Sequence, residues 1–177
     1  MGYSAVNLHV KVKNEEDEIK VKEYFDNECD GKDGLMEDIP EEFRDAVMEE
    51  MGYNGADSGI ISQSGYLSVC SEKVRFDNFE MVAEELSGTL GLAVLAALVF
   101  DSDVAVIQGY VSGRKILEEV NSAEDKKKMD RKLFIERFAP DCTEEQIASV
   151  WDKEAGVFAE DILYEMGEIM GIKLLIS

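Results

Sequence analysis

Apolar and polar residues alternate through "SAVNLHVKV", residues 4–12. A period of two puts successive side chains on opposite faces, so this run is expected to be a half-buried strand. His9 shares the polar face with Asn7 and Lys11 and is expected to be exposed. "NEEDEIKVKEYF" then changes to helical spacing, with acids in its first turn, where the helix dipole favours them. "PEEFRDAVMEEMG" predicts a second helix, with Pro40 in its first turn and Gly52 at its end. Phe43, Val47 and Met51 recur every fourth residue and face inward, which leaves Glu42, Asp45 and Glu49 on the outer side.

"YNGADSGIISQSGYLSVCSEKV" places turn residues between short β-rich runs, the pattern of a hairpin. Asp77 and Glu80 stand three apart, a capping-box spacing with Asp77 as the cap. They precede a helix that presents Phe79, Val82, Ala83, Leu86 and Leu90 on one face. "LAVLAALVF" is too apolar for an edge strand and is expected at the sheet centre. "DSD" turns the chain, "VAVIQGYV" returns, "SG" turns again and "RKILEEV" runs on, so residues 92–118 predict a β-meander.

The last third has helical spacing. Thr143 and Gln146 form a second capping box. Ile147 and Trp151 share the core-facing side of the helix that follows. Phe158, Ile162, Met166, Ile169 and Met170 form an apolar stripe, and Gly171 is placed as its C-terminal cap. "IKLLIS" is expected to add a final strand. With no internal repeat, long linker or low-complexity block, residues 1–177 predict one α+β domain, a mostly antiparallel sheet with a central β-meander and helices packed on it.

Charge changes the functional picture more than composition does. The chain has 177 residues, 45% of them hydrophobic, so it is long and apolar enough to bury a core. Its formal net charge is −21. Such a field repels phosphates and anionic membrane surfaces and attracts basic partners. Nucleic acid and membrane are therefore not expected as partners, and no run is long enough to span a bilayer. The opening residues lack the apolar core of a signal peptide. Cys29, Cys70 and Cys142 are widely spaced with no C-x-x-C pair, which points to reduced thiols and a cytoplasmic location.

Three motifs suggest chemistry. "DNECDGKDGLME", residues 26–37, approaches the calcium-loop spacing with Asp26, Glu28, Asp30, Gly31 and Glu37. Glu28 is too long for its position, Asp33 replaces an apolar residue, Pro40 delays the exit helix and no second loop follows, so no calcium site is expected. Asp101-Ser102-Asp103 at the end of an apolar strand resembles the acidic motif of metal-dependent glycosyltransferases and haloacid-dehalogenase-type phosphotransferases, in which carboxylates share a divalent ion with a phosphate. No glycine-rich phosphate loop accompanies it, and tight turns favour Asp on other grounds. We expect a turn, with no catalytic residue, metal or cofactor and no small-molecule substrate. Lys126, Lys127, Lys128, Arg131 and Lys132 form the one basic cluster and are expected to pair with the acidic majority.

"VAEELSGTLGLAVL", "VFDSDVAVIQGYVSGRKI" and "VFAEDILYEMGEIMGI" resemble segments of small bacterial immunity proteins from toxin–immunity loci, including contact-dependent inhibition systems. The resemblance covers under half the chain and implies no particular fold or contact residues. It implies a cytoplasmic immunity protein that blocks the active site of a basic toxin, such as a nuclease, with carboxylates standing where phosphates bind. On that expectation Glu42, Asp45, Glu49, Asp101 and Asp103 are the partner-binding candidates. The alternatives are a metal-dependent transferase or phosphohydrolase using Asp101-Ser102-Asp103, and a regulatory or scaffold module.

Overall fold

The computed structural model describes residues 2–27, 59–69, 73–124, 129–153 and 158–176. Six strands form one antiparallel sheet: β1 (Ala5–Lys11), β2 (Ile60–Gln63), β3 (Tyr66–Val69), β4 (Val94–Phe100), β5 (Val104–Val111) and β6 (Arg114–Ser122). Their order across the sheet is β2-β3-β1-β4-β5-β6. Five helices are described: α1 (Glu15–Asn27), α2 (Phe79–Leu90), α3 (Arg131–Phe138), α4 (Glu144–Trp151) and α5 (Ala159–Met170). The fold is α+β. The expected meander is β4–β5–β6, and the expected hairpin is β2–β3. Residues 28–37 of the calcium-like loop, and the helix expected over residues 40–52 with Glu42, Asp45 and Glu49, lie outside the described residues.

Helices cover both faces of the sheet, and strand parity decides which core each side chain joins. Leu8, Val10, Val94, Ala96, Leu98, Val106 and Tyr110 pack with Val21 and Phe25 of α1 and with Phe79, Val82, Ala83 and Leu86 of α2. Leu95, Ala97, Val99, Ala105, Ile107 and Leu117 pack on the opposite side with Phe134, Phe138, Ile147, Trp151, Ile162, Leu163 and Met166 of α3, α4 and α5. Burial on both faces explains why β4 is apolar without a break. It also corrects the reading of β1: its polar positions Asn7 and His9 are buried, because the C-terminal layer covers their face.

Local signals place most helix ends. Thr143 and Gln146 form the predicted capping box on α4, and Gly171 ends α5 in a left-handed conformation. Asp77 is not the cap of α2. Asn78 occupies that position, and Asp77 instead pairs with Arg75 at 3.0 Å. Glu80 turns away from the helix start to meet Gln108 and Lys115. On α5, Ile162 and Met166 are buried as predicted, but Phe158 is 61% exposed, and Leu163, outside the predicted stripe, is fully buried. Phe158 precedes the first helical turn, where the helical spacing that put it in the stripe has not begun.

Gly109 sits where β5 and β6 shift register. A Cβ there would collide with the ring of Phe138, so the glycine lets α3 lie directly on the sheet. Tyr66 donates a hydrogen bond to the Phe138 carbonyl at 2.5 Å, and Lys11 donates to the Arg137 carbonyl at 3.0 Å, which fixes the same end of α3. Gly109→Ala is expected to destabilise the fold by about 1–3 kcal/mol through overpacking. Urea unfolding checks this as a lower midpoint at an unchanged slope.

Candidate functional site

Three polar constellations in the fold could carry chemistry. The first is a buried row on the C-terminal side of the sheet. Gln63 donates to the Lys173 carbonyl at 3.1 Å and accepts from the Lys173 N–H at 2.6 Å. Asn7 does the same for Ile176, at 3.3 and 3.1 Å. His9 lies between them, with Nε2 at 3.0 Å from the Leu174 carbonyl and Nδ1 at 2.7 Å from the Ser68 hydroxyl. A carbonyl only accepts, so Nε2 carries the proton and Nδ1 accepts from Ser68. Residues 172–176 therefore cross the face of the sheet without joining it. "IKLLIS" adds no strand, because its backbone groups are met by side chains in place of a neighbouring strand.

This Ser–His contact resembles a nucleophile and its base, yet its surroundings are structural. His9 and Ser68 are both 0% exposed, and Leu174 and Leu175 are buried over them. Burial pushes the His9 pKa down to about 4, only partly opposed by the Leu174 carbonyl. The row is a clamp on the C-terminal segment.

The second constellation joins α2 to β5 and β6. Gln108 donates to Glu80 and Glu118 at 3.0 and 2.8 Å, and Tyr110 donates to Gln108 at 2.5 Å. Lys115 bridges the two carboxylates, and its ammonium is the main reason the Glu80 pKa lies below the ordinary range. Every polar group in this set has a partner within it, which is the property of a structural tie.

The third is the β4–β5 turn, which contains the Asp101-Ser102-Asp103 motif. Asp101 and Ser102 have φ of 49° and 60°, the left-handed region that non-glycine residues enter at a cost. Neighbours from two other parts of the chain hold them there. The Ser102 N–H donates to the Tyr3 carbonyl at 2.9 Å, and its hydroxyl accepts from the Tyr3 N–H at 2.8 Å. The same hydroxyl donates to Glu160 at 2.9 Å, and the Ser102 carbonyl accepts from the Ala159 N–H at 2.9 Å. Asp101 donates through its N–H to Ser4 and accepts from the Gly2 N–H at 2.7 Å. Gly2 lies so close to Asp101 that a Cβ would collide with its carbonyl. The turn is thus a junction of the N-terminal segment, the meander and the start of α5.

Three exposed aromatic side chains are linked to this junction by sequence or contact. Phe76 and Phe100 contact each other with ring centroids 4.8 Å apart, yet they are 39% and 40% exposed. Phe158, next in the chain to the Ala159 N–H that binds Ser102, is also exposed. Asp101 and Asp103 are both exposed in the turn itself. Exposed rings and carboxylates at a turn held by several hydrogen bonds are suited to docking a protein surface.

The structure thus brings two of the five predicted partner residues, Asp101 and Asp103, to one exposed turn; the other three lie outside the described residues. One oxygen of Asp101 is engaged by the Gly2 N–H, and no group of three or more His, Cys, Asp or Glu among the described residues is arranged to hold a metal ion. From the basic cluster, Arg131 pairs with Asp152 as expected, while Lys126, Lys127 and Lys128 lie outside the described residues. Sequence reasoning missed Phe76, Phe100 and Phe158 as surface features, since an isolated Phe in a strand or helix pattern reads as core. Comparison of the chain with protein-family models, curated proteins and solved structures finds no match.

The depressed His9 pKa sets a pH dependence. The unfolded imidazole titrates near 6.5 and the folded one near 4. Above pH 6.5 both states are neutral and the clamp contributes fully. As pH falls from 6.5 to 4 the unfolded chain binds a proton that the folded chain refuses, so stability is lost by about 3 kcal/mol. Unfolding free energies of the wild type and His9→Gln, measured across this window, should converge toward acid. A constant difference between them would contradict the assignment.

Proposed function

We propose that this chain is a non-enzymatic binding protein, a cytoplasmic immunity protein that holds a basic toxin domain and blocks its active site. The observation that carries the reading is the β4–β5 turn, which exposes Asp101 and Asp103, is held by hydrogen bonds from Gly2, Tyr3 and Ala159, and is linked to the exposed rings of Phe76, Phe100 and Phe158. A net charge of −21 favours a basic partner and speeds its encounter. Aromatic anchors supply contact area, and the carboxylates supply charge-assisted hydrogen bonds to lysine or arginine. The turn is pinned before binding, so little ordering entropy is lost when a partner docks. Among the described residues no helix is long and apolar enough to cross a membrane.

A metal-dependent transferase would need Asp101 and Asp103 to converge on one ion. The contact between Asp101 and the Gly2 N–H works against that arrangement, and the binding reading uses both residues where they stand.

Co-expression with a toxin domain encoded beside this chain, followed by purification, tests the reading. The pair should co-purify and the cells should survive. Raising the ionic strength from about 0.01 M to about 0.15 M should slow association roughly tenfold or more while dissociation changes less. Phe100→Ala and Asp103→Asn should each weaken the complex, and Asp103→Asn should leave the thermal midpoint of the free protein unchanged. No complex and no protection, with an active toxin in hand, would remove the immunity reading.

A further inference from the structure

The exposed surface does not stop at the turn. Four outward residues follow one another along α5 and its cap: Phe158, Asp161, Tyr164 and Glu168. Within the helix, Asp161, Tyr164 and Glu168 are spaced three and four apart and share one side, and Phe158 precedes them at the N-cap. Phe158 is 61% and Tyr164 49% exposed. The core-facing side of α5 is separately filled by Ala159, Ile162, Leu163, Met166 and Gly167, so packing among the described residues does not account for the two aromatic rings.

We propose that this row carries the docking surface from the β4–β5 turn along α5 and receives arginine side chains of the basic partner; the inference rests on the basic-partner reading. Three features favour that occupant. Aromatic and acidic residues alternate, so a guanidinium stacked on a ring has a carboxylate one helical step away. A planar guanidinium combines stacking with paired hydrogen bonds to a carboxylate, which a lysine ammonium cannot reproduce. No Lys or Arg occurs within α5, and the Lys153 beside it is committed to Glu165. A second copy of this chain would bring acid against acid, and an anionic membrane or nucleic acid would be repelled in the same way. The row is also continuous with the turn, because the Ala159 N–H that begins α5 is bonded to the Ser102 carbonyl at 2.9 Å.

Fluorescently labelled eight-residue oligo-arginine and oligo-lysine peptides, titrated with the intact protein at about 0.15 M ionic strength, test the row. The arginine peptide should bind roughly fivefold tighter, from stacking on two rings. The double variant Phe158→Ala/Tyr164→Ala should erase that preference while leaving lysine-peptide binding within about twofold. Asp161→Asn/Glu168→Gln should weaken both peptides more than the charge-matched Glu15→Gln/Glu23→Gln on α1. All of these side chains are exposed, so thermal midpoints should stay near the wild type and report any misfolding. Equal affinity for the two peptides, or a preference that survives loss of both rings, would overturn the row and leave the basic-partner reading standing. Binding of neither peptide would remove both.

Discussion

Irregular backbone laid against a sheet needs hydrogen-bond partners, and in this protein side chains supply them. A buried, unpaired peptide group costs about as much as a lost hydrogen bond. Residues 172–176 cross the sheet face without entering its ladder, and the Asn7 and Gln63 amides each make the two contacts that a neighbouring strand's peptide would make. Ser102 plays the equivalent part at the β4–β5 turn, with its backbone and hydroxyl joining Tyr3, Ala159 and Glu160. On the far side of the same face, Glu119 accepts from the Asp130 N–H that leads into α3, and Asn121 donates to the Trp151 carbonyl that ends α4. The polar residues of β1, β2 and β6 are therefore how the C-terminal layer is attached.

That attachment has a functional consequence. The same C-terminal layer supplies α5, and α5 starts on the turn that carries Asp101 and Asp103. A hairpin tip standing alone would fray, since tips carry few contacts. Here the tip is held by the N-terminal segment and by the start of α5, and a surface held this way can keep carboxylates in place. On the proposed reading the acidity is a directed property: a diffuse charge of −21 would steer encounter, and a small pre-arranged surface would decide where it ends.

The elements that depend on local pattern were legible in the sequence. The β4–β5–β6 meander shows in its apolar runs and turn residues, α2 in the spacing of Phe79, Val82, Ala83 and Leu86, and α4 in the Thr143 and Gln146 box. What failed depends on tertiary context. Alternation in β1 was correct as strand periodicity, but it cannot reveal that Asn7 and His9 face a second helical layer. Asp77 and Asn78 are adjacent caps of equal quality on paper, and the pairing of Asp77 with Arg75 decides between them. Of the candidate site, Asp101 and Asp103 were visible as an exposed acidic turn. The exposed rings were not, because only the folded chain shows that Phe76, Phe100 and Phe158 meet water.

Amide hydrogen exchange resolved to single residues tests the central claim most directly. The N–H groups of Lys173 and Ile176 on the C-terminal segment, and of Ser102 and Ala159 at the turn, belong to irregular or terminal backbone that would ordinarily exchange fast. If side chains and junction contacts hold them as described, their protection should approach that of the buried β4 amides, and Asn7→Ala or Ser102→Ala should lower it locally first. Exchange of all four near the rate of an unstructured peptide, with β4 still protected, would contradict the account.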